Sequence, residues 1–220
     1  MFDCRSGFLK CILHDEGYLT NVRTAVAGSI CAKYLAPKKV TKIGIIGTGI
    51  QARLQLKYLK YTTRCVDVMV MGRDSKKIND YIEDMRKEGF NLEVANNSKQ
   101  LCESCNLIVT TTSANESLIK KSDIKPGTHI TAVGSDTPEK RELDSNILGL
   151  ANLVVVDSVS QCVERGETKY ALEKNIINRS DLVELGDIIM NKNNGRLSEN
   201  DITVADLTGV AVQDIMITNK

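Results

Sequence analysis

Apolar positions in this chain fall into short unbroken runs, separated by stretches in which they recur every three or four residues. Val40 to Ile46 is one such run and ends at Gly47; Gln51 to Tyr61 follows, with Ala52, Leu56 and Leu59 at helical spacing. That is a strand, a turn and a helix. Val66 to Met71 predicts a second strand, and Ser75 to Glu88 a helix with Ile78, Tyr81, Ile82 and Met85 on one face. The runs "LEVA" at 92 to 95, "LIVTTT" at 107 to 112, "HITAV" at 129 to 133 and "LVVVD" at 153 to 157 continue the series. Strands that are apolar throughout are covered on both faces, and helices between them supply the cover. The expected fold is therefore α/β, a doubly wound parallel sheet with helices on both faces. Upstream, "DEGYLTNVRTAVAGSICAKYLAP" predicts a helix with Thr20 as N-cap and a run of small residues, Ala25, Ala27, Gly28, Ser29 and Ala32, ending before Pro37.

Composition narrows the range of functions. The 220 residues are 42% hydrophobic and 26% charged, values typical of a globular chain. Lys and Arg number 29 against 28 Asp and Glu, a net charge of +1, and no basic stripe with interleaved aromatics is present. Nothing points to a nucleic-acid or membrane partner, and any anion site must be local. The first residues carry charges where a secretory signal has its apolar run, and seven scattered cysteines fit a reducing compartment, so a cytoplasmic protein is expected. Cys102 and Cys105 form a single CxxC with no second pair and no nearby histidine, which reads as two structural thiols rather than a zinc site. His14 and His129 both fall in strand-like patterns and read as structural.

The turn after the first strand carries the chemistry. Gly47, Thr48, Gly49, Ile50, Gln51 and Ala52 form a GxGxxA sequence between a strand and a helix, the context that a dinucleotide fold requires. Gly47 permits the tight bend, Gly49 lets a pyrophosphate approach the backbone, and the small Ala52 keeps helix and strand close. The helix N-terminus offers free N–H groups to the phosphates. At the end of the second strand, where NAD-binding domains place an acid for the ribose hydroxyls, the chain reads Gly72 and Arg73. An arginine suits a 2′-phosphate, which favours NADP(H) as cofactor; the adjacent Asp74 leaves NAD(H) open. Arg23 is expected in the first turn of the upstream helix, where the macrodipole disfavours a cation, so it should face an anion, either a ligand or an acid such as Asp15 or Glu16. Asp136 is the first acid beyond the fifth strand, in the place where open parallel sheets bind ligands; it reads either as a base or as part of an Asp-Thr-Pro turn.

Four stretches in order, "YLTNVRTAVAGSICAKYLAP", "IGIIGTGIQA", "KPGTHITAVGSDTPEKREL" and "GRLSENDITVADLTGVAVQD", resemble the ornithine cyclodeaminase/mu-crystallin family, which includes archaeal-type alanine dehydrogenases and ketimine reductases. The resemblance implies a Rossmann domain over residues 41–205, preceded at 1–40 by the end of a substrate and dimerisation domain with its connecting helix. Residues 206–220 would begin the helix that returns to that domain. It also implies a homodimer, an amino or imino acid as the small-molecule partner, and NAD(P)-dependent chemistry at its α-carbon. Transferred by motif, Arg23 would bind the substrate carboxylate, Asp136 would bind substrate and act as acid/base residue, and Thr24, Gln51 and Ala52 would meet the cofactor. Lys140 would lie beside the cofactor or substrate, and Ser113 and Val133 would line the nicotinamide side. In a cyclodeaminase, hydride leaves the ornithine α-carbon, the side-chain amine attacks the imine, ammonia departs, and returned hydride gives proline. An alanine dehydrogenase would use the same acid to activate water against its imine, and a ketimine reductase would use only the reductive half. The chain departs from the family at Glu139, where many members have glycine, and at Leu207, where many have serine. It is also expected to lack most of the first domain, which leaves a non-catalytic NADPH-binding protein as the contrasting reading.

Overall fold

The computed structural model describes residues 1–190 and 195–218. Its centre is an eight-stranded sheet in which every pairing is parallel. The strands are β1 (Ile43–Ile46), β2 (Asp67–Met71), β3 (Asn91–Val94), β4 (Leu107–Thr110), β5 (His129–Ala132), β6 (Leu153–Val156), β7 (Leu182–Glu184) and β8 (Thr203–Asp206). They lie in the order β3-β2-β1-β4-β5-β8-β6-β7. Chain order runs outward from β1 in one direction and, apart from β8, from β4 in the other, so a topological switch point lies between these two strands. Ligands of open parallel sheets bind beyond such a point. This is the expected doubly wound, Rossmann-like fold. The sequence reading missed β7 and β8, and β8 is inserted between β5 and β6. "TVAD" has too little apolar run to announce a strand, and nothing local tells a late strand that it belongs in the middle of a sheet.

Helices α1 (Tyr18–Leu35), α2 (Ile50–Leu59), α3 (Ser75–Lys87) and α8 (Leu185–Met190) cover one face; α4 (Ser98–Ser104), α5 (Asn146–Leu150), α6 (Val159–Cys162) and α7 (Glu167–Glu173) cover the other. The sheet is apolar on both faces for this reason. Ile43, Ile45, Val68, Val70, Leu107 and Val109 pack under α2 and α3, while Ile46, Ile108, Ile130, Val154 and Val204 pack under the opposite layer. Cys102 and Cys105 are buried in that second layer, and burial pushes each thiol up to about 12. They are structural, as expected.

The upstream helix differs from its sequence reading at its start. It begins at Tyr18, with Gly17 in the left-handed region (φ 80°) as N-cap, while the Asp15 carboxylate accepts the N–H groups of Gly17 and Leu19. Glycine reaches that conformation without a Cβ penalty, so it ends the preceding turn and Thr20 falls inside the helix. Arg23 therefore sits in the second turn rather than the first, and His14 lies outside any strand. The small residues do what their size permits. A Cβ on Gly28 would lie 2.0 Å from Oε1 of Gln55, a buried side chain on α2 whose Nε2 donates to the Thr24 carbonyl at 3.0 Å. Close approach of α1 to α2 thus depends on glycine at 28. Helix α9 (Ala211–Thr218) packs against α1, where the Thr20 hydroxyl donates to Asp214 at 2.8 Å.

His129 is fully buried on β5. Its Nδ1 lies 2.8 Å from the Thr203 hydroxyl and its Nε2 lies 2.9 Å from that of Thr131. The Thr203 hydroxyl donates to the Leu35 carbonyl, so it accepts from the imidazole, and Thr131 donates to Nε2; a neutral ring satisfies both bonds. Burial, with Arg196 adding to it, pushes the imidazole down to about 3. The unfolded chain takes up a proton near pH 6.5 and the folded chain does not, so stability is lost as pH falls from about 6.5 towards 3. The expected slope is about 1.4 kcal/mol per pH unit across the middle of that range. Denaturant titrations of wild type and His129→Asn at pH 4 to 7 should show the variant's stability falling less steeply by this amount. Parallel curves would show that His129 is protonated in the folded state.

Candidate active site

The turn between β1 and α2 is shaped by its glycines. Gly47 has φ 119°, and a Cβ there would meet the Thr111 hydroxyl at 2.4 Å, so both backbone and space exclude a side chain. Gly49 is the N-cap of α2, without a side-chain cap, and the direction its Cβ would take holds nothing within 4 Å. No side chain caps the first N–H groups of α2, which leaves them available to a phosphate. Ala52 is fully buried, and its carbonyl accepts from the Tyr81 hydroxyl at 3.2 Å. Arg53 braces the turn from behind, donating through Nη1 to the Thr48 carbonyl and through Nε to Asp84 at 3.0 Å. Ile50 and Gly49 are exposed. The residues present therefore fit a dinucleotide pyrophosphate.

At the end of β2, Arg73 is exposed, and Gly72 carries no Cβ, which would stand 2.9 Å from the Thr48 methyl. Asp74 caps α3, its Oδ1 accepting the Lys77 N–H at 3.1 Å. One of its oxygens is thereby committed to the fold.

Beside the turn, beyond the carboxyl ends of the strands, lies a cleft of about 210 Å3. Five of the predicted residues line it: Arg23 and Thr24 from α1, Gln51 from α2, Val133 after β5, and Asp136. Gln51 is fixed by donating to the side chain and backbone carbonyl oxygens of Asn21 at 3.0 and 3.2 Å. The Thr24 hydroxyl donates to the Thr20 carbonyl at 2.8 Å. The Arg23 guanidinium is neither free nor paired with Asp15 or Glu16. Its Nε donates to Asp214 at 3.1 Å and its Nη1 to Gln213 at 3.4 Å, both on α9. Gly209 lies against Nη1, where a Cβ would come within 2.9 Å. Asp136 is 56% exposed and accepts from Lys140 Nζ at 2.6 Å. Lys140 thus reaches the cleft through Asp136. Ser113, exposed beyond β4, and Arg73 do not line it.

Several residues of this region escaped the sequence reading. Asp157, at the end of β6, lines the cleft and accepts from the Gly209 N–H at 2.6 Å, the Thr208 hydroxyl at 3.1 Å and the Cys162 thiol at 3.3 Å. Glu142 and Glu167 are buried next to the Asp136 loop. Glu142 accepts from the Thr110 hydroxyl at 2.7 Å, the Thr112 N–H and the Gly134 N–H at 2.9 Å; burial raises its carboxyl above the ordinary range even so. Glu167 accepts from the Ser135 hydroxyl, the Glu142 N–H at 2.6 Å and the Leu143 N–H at 2.9 Å. Burial, with Asp206 nearby, raises its carboxyl as well. Asp157 follows a strand end and Glu167 follows a glycine, traces that surface acids share, and Glu142 has neither.

The family model described as the ornithine cyclodeaminase/mu-crystallin family matches residues 1–219. An uncharacterised cyclodeaminase of Sinorhizobium fredii is 36% identical over 219 residues, covering 99% of this chain and 66% of the relative. An archaeal alanine dehydrogenase dimer with bound NAD superposes with a TM-score of 0.91 at 33% identity, over 99% of this chain and 67% of its own. The Δ1-pyrroline-2-carboxylate reductase of Thermococcus litoralis, in complex with NADH and L-proline, gives a TM-score of 0.92 at 27% identity, over 99% and 68%. The chain spans about two thirds of the length of the proteins it matches. With the glycine turn, the cleft and a match over nearly its whole length, the chain belongs to the ornithine cyclodeaminase/mu-crystallin family.

Proposed function

We propose that this chain carries the cofactor site and the acid/base residue of a cytoplasmic, homodimeric NAD(P)-dependent enzyme acting at the α-carbon of a small amino or imino acid. The observation that carries this reading is the convergence of Arg23, Thr24, Gln51, Val133 and Asp136 on one cleft beside an open glycine turn. Gly47, Thr48, Gly49 and Ile50 would hold the pyrophosphate with backbone N–H groups, Thr24 and Gln51 would border it, and Val133 with Ser113 would face the nicotinamide. When bound, the nicotinamide accepts or returns a hydride at the substrate α-carbon. The protein's part is to bind, orient and move protons. Arg23 would take the substrate carboxylate. Its present partner Asp214 is 39% exposed, and an ion pair at such exposure is worth about 1 kcal/mol or less, so a second carboxylate can share or replace it at little cost. Asp136, hydrogen-bonded by Lys140, would accept a proton from the substrate nitrogen as the amine becomes an imine and return it in the reverse direction.

Among family activities, conversion of L-ornithine to L-proline and ammonia is the first reaction to test. Asp157 is a second carboxylate in the cleft, and the donors it meets are a backbone N–H, a hydroxyl and a thiol, all neutral. A substrate with a second ammonium group would supply the cation. Alanine dehydrogenase or imine reductase chemistry uses the same Arg23 and Asp136 without that requirement. A purely dinucleotide-binding protein would use neither.

For the cofactor, Arg73 favours NADP(H) in this reading, although the two structural relatives carry NAD and NADH. Arg73→Ala should weaken NADPH binding by about 1.5–3 kcal/mol, the range for hydrogen bonds to charged groups, and leave NADH binding unchanged in calorimetric titrations. Equal loss for both would remove the 2′-phosphate assignment. Asp136→Asn should abolish turnover of ornithine, alanine or pyrroline-2-carboxylate while retaining dinucleotide affinity. A variant that keeps wild-type kcat would rule out Asp136 as the proton-transfer residue, and a wild type that binds dinucleotide without turning over any of the three would favour the non-catalytic alternative.

A further inference from the structure

The loop bearing Asp136 is gripped along its length by one helix that contributes nothing to the cleft itself. Glu167, the first residue of α7 and 1% exposed, takes the Ser135 hydroxyl and the Glu142 N–H on one carboxylate oxygen and the Leu143 N–H on the other. Ser135 immediately precedes Asp136, and residues 142 and 143 close the loop, so both of its ends hang on a single buried carboxylate. Two further residues of α7 hold the middle. Lys169 Nζ and the Tyr170 hydroxyl donate to the Pro138 carbonyl at 3.3 and 2.9 Å, and the Arg141 guanidinium lies 5.1 Å from the centre of the Tyr170 ring.

Helix α7 is in turn fixed to the sheet. The Asp206 carboxylate, at the end of β8, accepts the Thr168 N–H at 2.8 Å and the Thr168 hydroxyl at 2.7 Å, capping the helix with a negative charge at its positive end. Gly166, with φ 86°, makes this possible, because a Cβ there would stand 2.6 Å from Asp206. The residues that follow Asp206, Leu207 to Gly209, line the cleft. One strand end therefore shapes one wall of the cleft and, through α7, places the acid on the other.

We propose that Glu167 is a positioning residue for Asp136, acting through Ser135 and the 142–143 backbone to hold the acid at the substrate nitrogen. This rests on Asp136 being the proton-transfer residue. A carboxylate is suited to the task because both oxygens accept, while the loop presents only donors to it. A glutamine keeps one acceptor and turns an N–H₂ group towards a backbone N–H, so it should hold the loop only in part. Ser135→Ala removes one hydroxyl donor and leaves the two backbone N–H bonds to Glu167 in place.

The test is steady-state kinetics on the full chain, with the family amino and imino acids as substrates, for wild type, Ser135→Ala, Glu167→Gln and Asp136→Asn, alongside NADH and NADPH titrations. Ser135→Ala and Glu167→Gln should each lower kcat by about tenfold to hundredfold, the scale for an ångström of misplacement, with dinucleotide Kd and substrate KM within twofold of wild type. Wild-type kcat in both variants, with Asp136→Asn inactive, would overturn the inference and leave the acid/base reading standing. A loss of kcat accompanied by an equal loss of dinucleotide binding would overturn it in favour of a general folding role. If Asp136→Asn itself retains turnover, or wild type binds dinucleotide and turns nothing over, the underlying reading fails and takes this inference with it.

Discussion

A carboxylate buried between strand ends is costly unless donors meet its oxygens, and Glu142 meets that condition with a hydroxyl from β4, an N–H just beyond β4 and an N–H just beyond β5. Parallel strands end in carbonyl-rich tips and loops that no neighbouring hairpin restrains. Here the restraint is supplied by acids that point inward and collect the loop N–H groups. Glu167 repeats the device one layer further out, and Asp206 does so through Oδ2 alone. Gly134 shows how tight the arrangement is, since a Cβ at that residue would stand 2.1 Å from the Thr112 carbonyl and 2.6 Å from the Glu142 carboxyl. Because the interior is close-packed and the acids are deeply buried, these bonds have few alternatives. The geometry of the cleft follows from them.

On the opposite side of the cleft the restraint is steric. Helix α1 approaches α2 closely enough that Gln55 fills the space over Gly28 and reaches the Thr24 carbonyl, while Gln51, one turn earlier on α2, reaches Asn21. Thr24 and Gln51 are thus placed by the same packing that brings the helices together. Arg23 projects from this rigid pair toward α9, where Asp214 and Gln213 hold two of its three nitrogens. Two kinds of support therefore face each other across the cleft: charge-assisted bonds on the Asp136 side and close helix packing on the Arg23 side.

The sequence made legible whatever is enforced by residue type. Only glycine tolerates the backbone at 47 and the contact with Thr111, so the turn announced itself, and the all-apolar runs announced a sheet covered on both faces. Arg23 and Asp136 stood out from their neighbours as ligand candidates, and the family resemblance gave them roles; the structure brings both to one cleft. The acids that support the loop were invisible because a buried glutamate has the same letter as a solvated one. "KRELD" and "RGETK" look like surface segments until Thr110 and Ser135 are seen against them. Strand β8 was missed for a related reason: its place between β5 and β6 is a long-range fact that four residues cannot encode. The start of α1 was misread because Thr20 is a good cap by type, while Gly17 is the cap by conformation.

The charges around the cleft bear on what it can accept. Arg23 already has a carboxylate on Nε, Asp136 already has an ammonium from Lys140, and Asp157 has only neutral donors. In the proposed reaction an amino acid would bring a carboxylate for the remaining N–H groups of Arg23, and an α-ammonium that must give up a proton before its carbon can become an imine. There Asp136 would receive that proton on Oδ2, because Oδ1 accepts from Lys140, four residues along the same loop. A proton arriving at Asp136 therefore changes the charge balance of the loop while Glu167 holds its ends. A loop anchored only by the surface pair would be free to open at that moment. One anchored at Ser135, Glu142 and Leu143 keeps its acid in place for the return of the proton, which the proposed reaction needs in either direction.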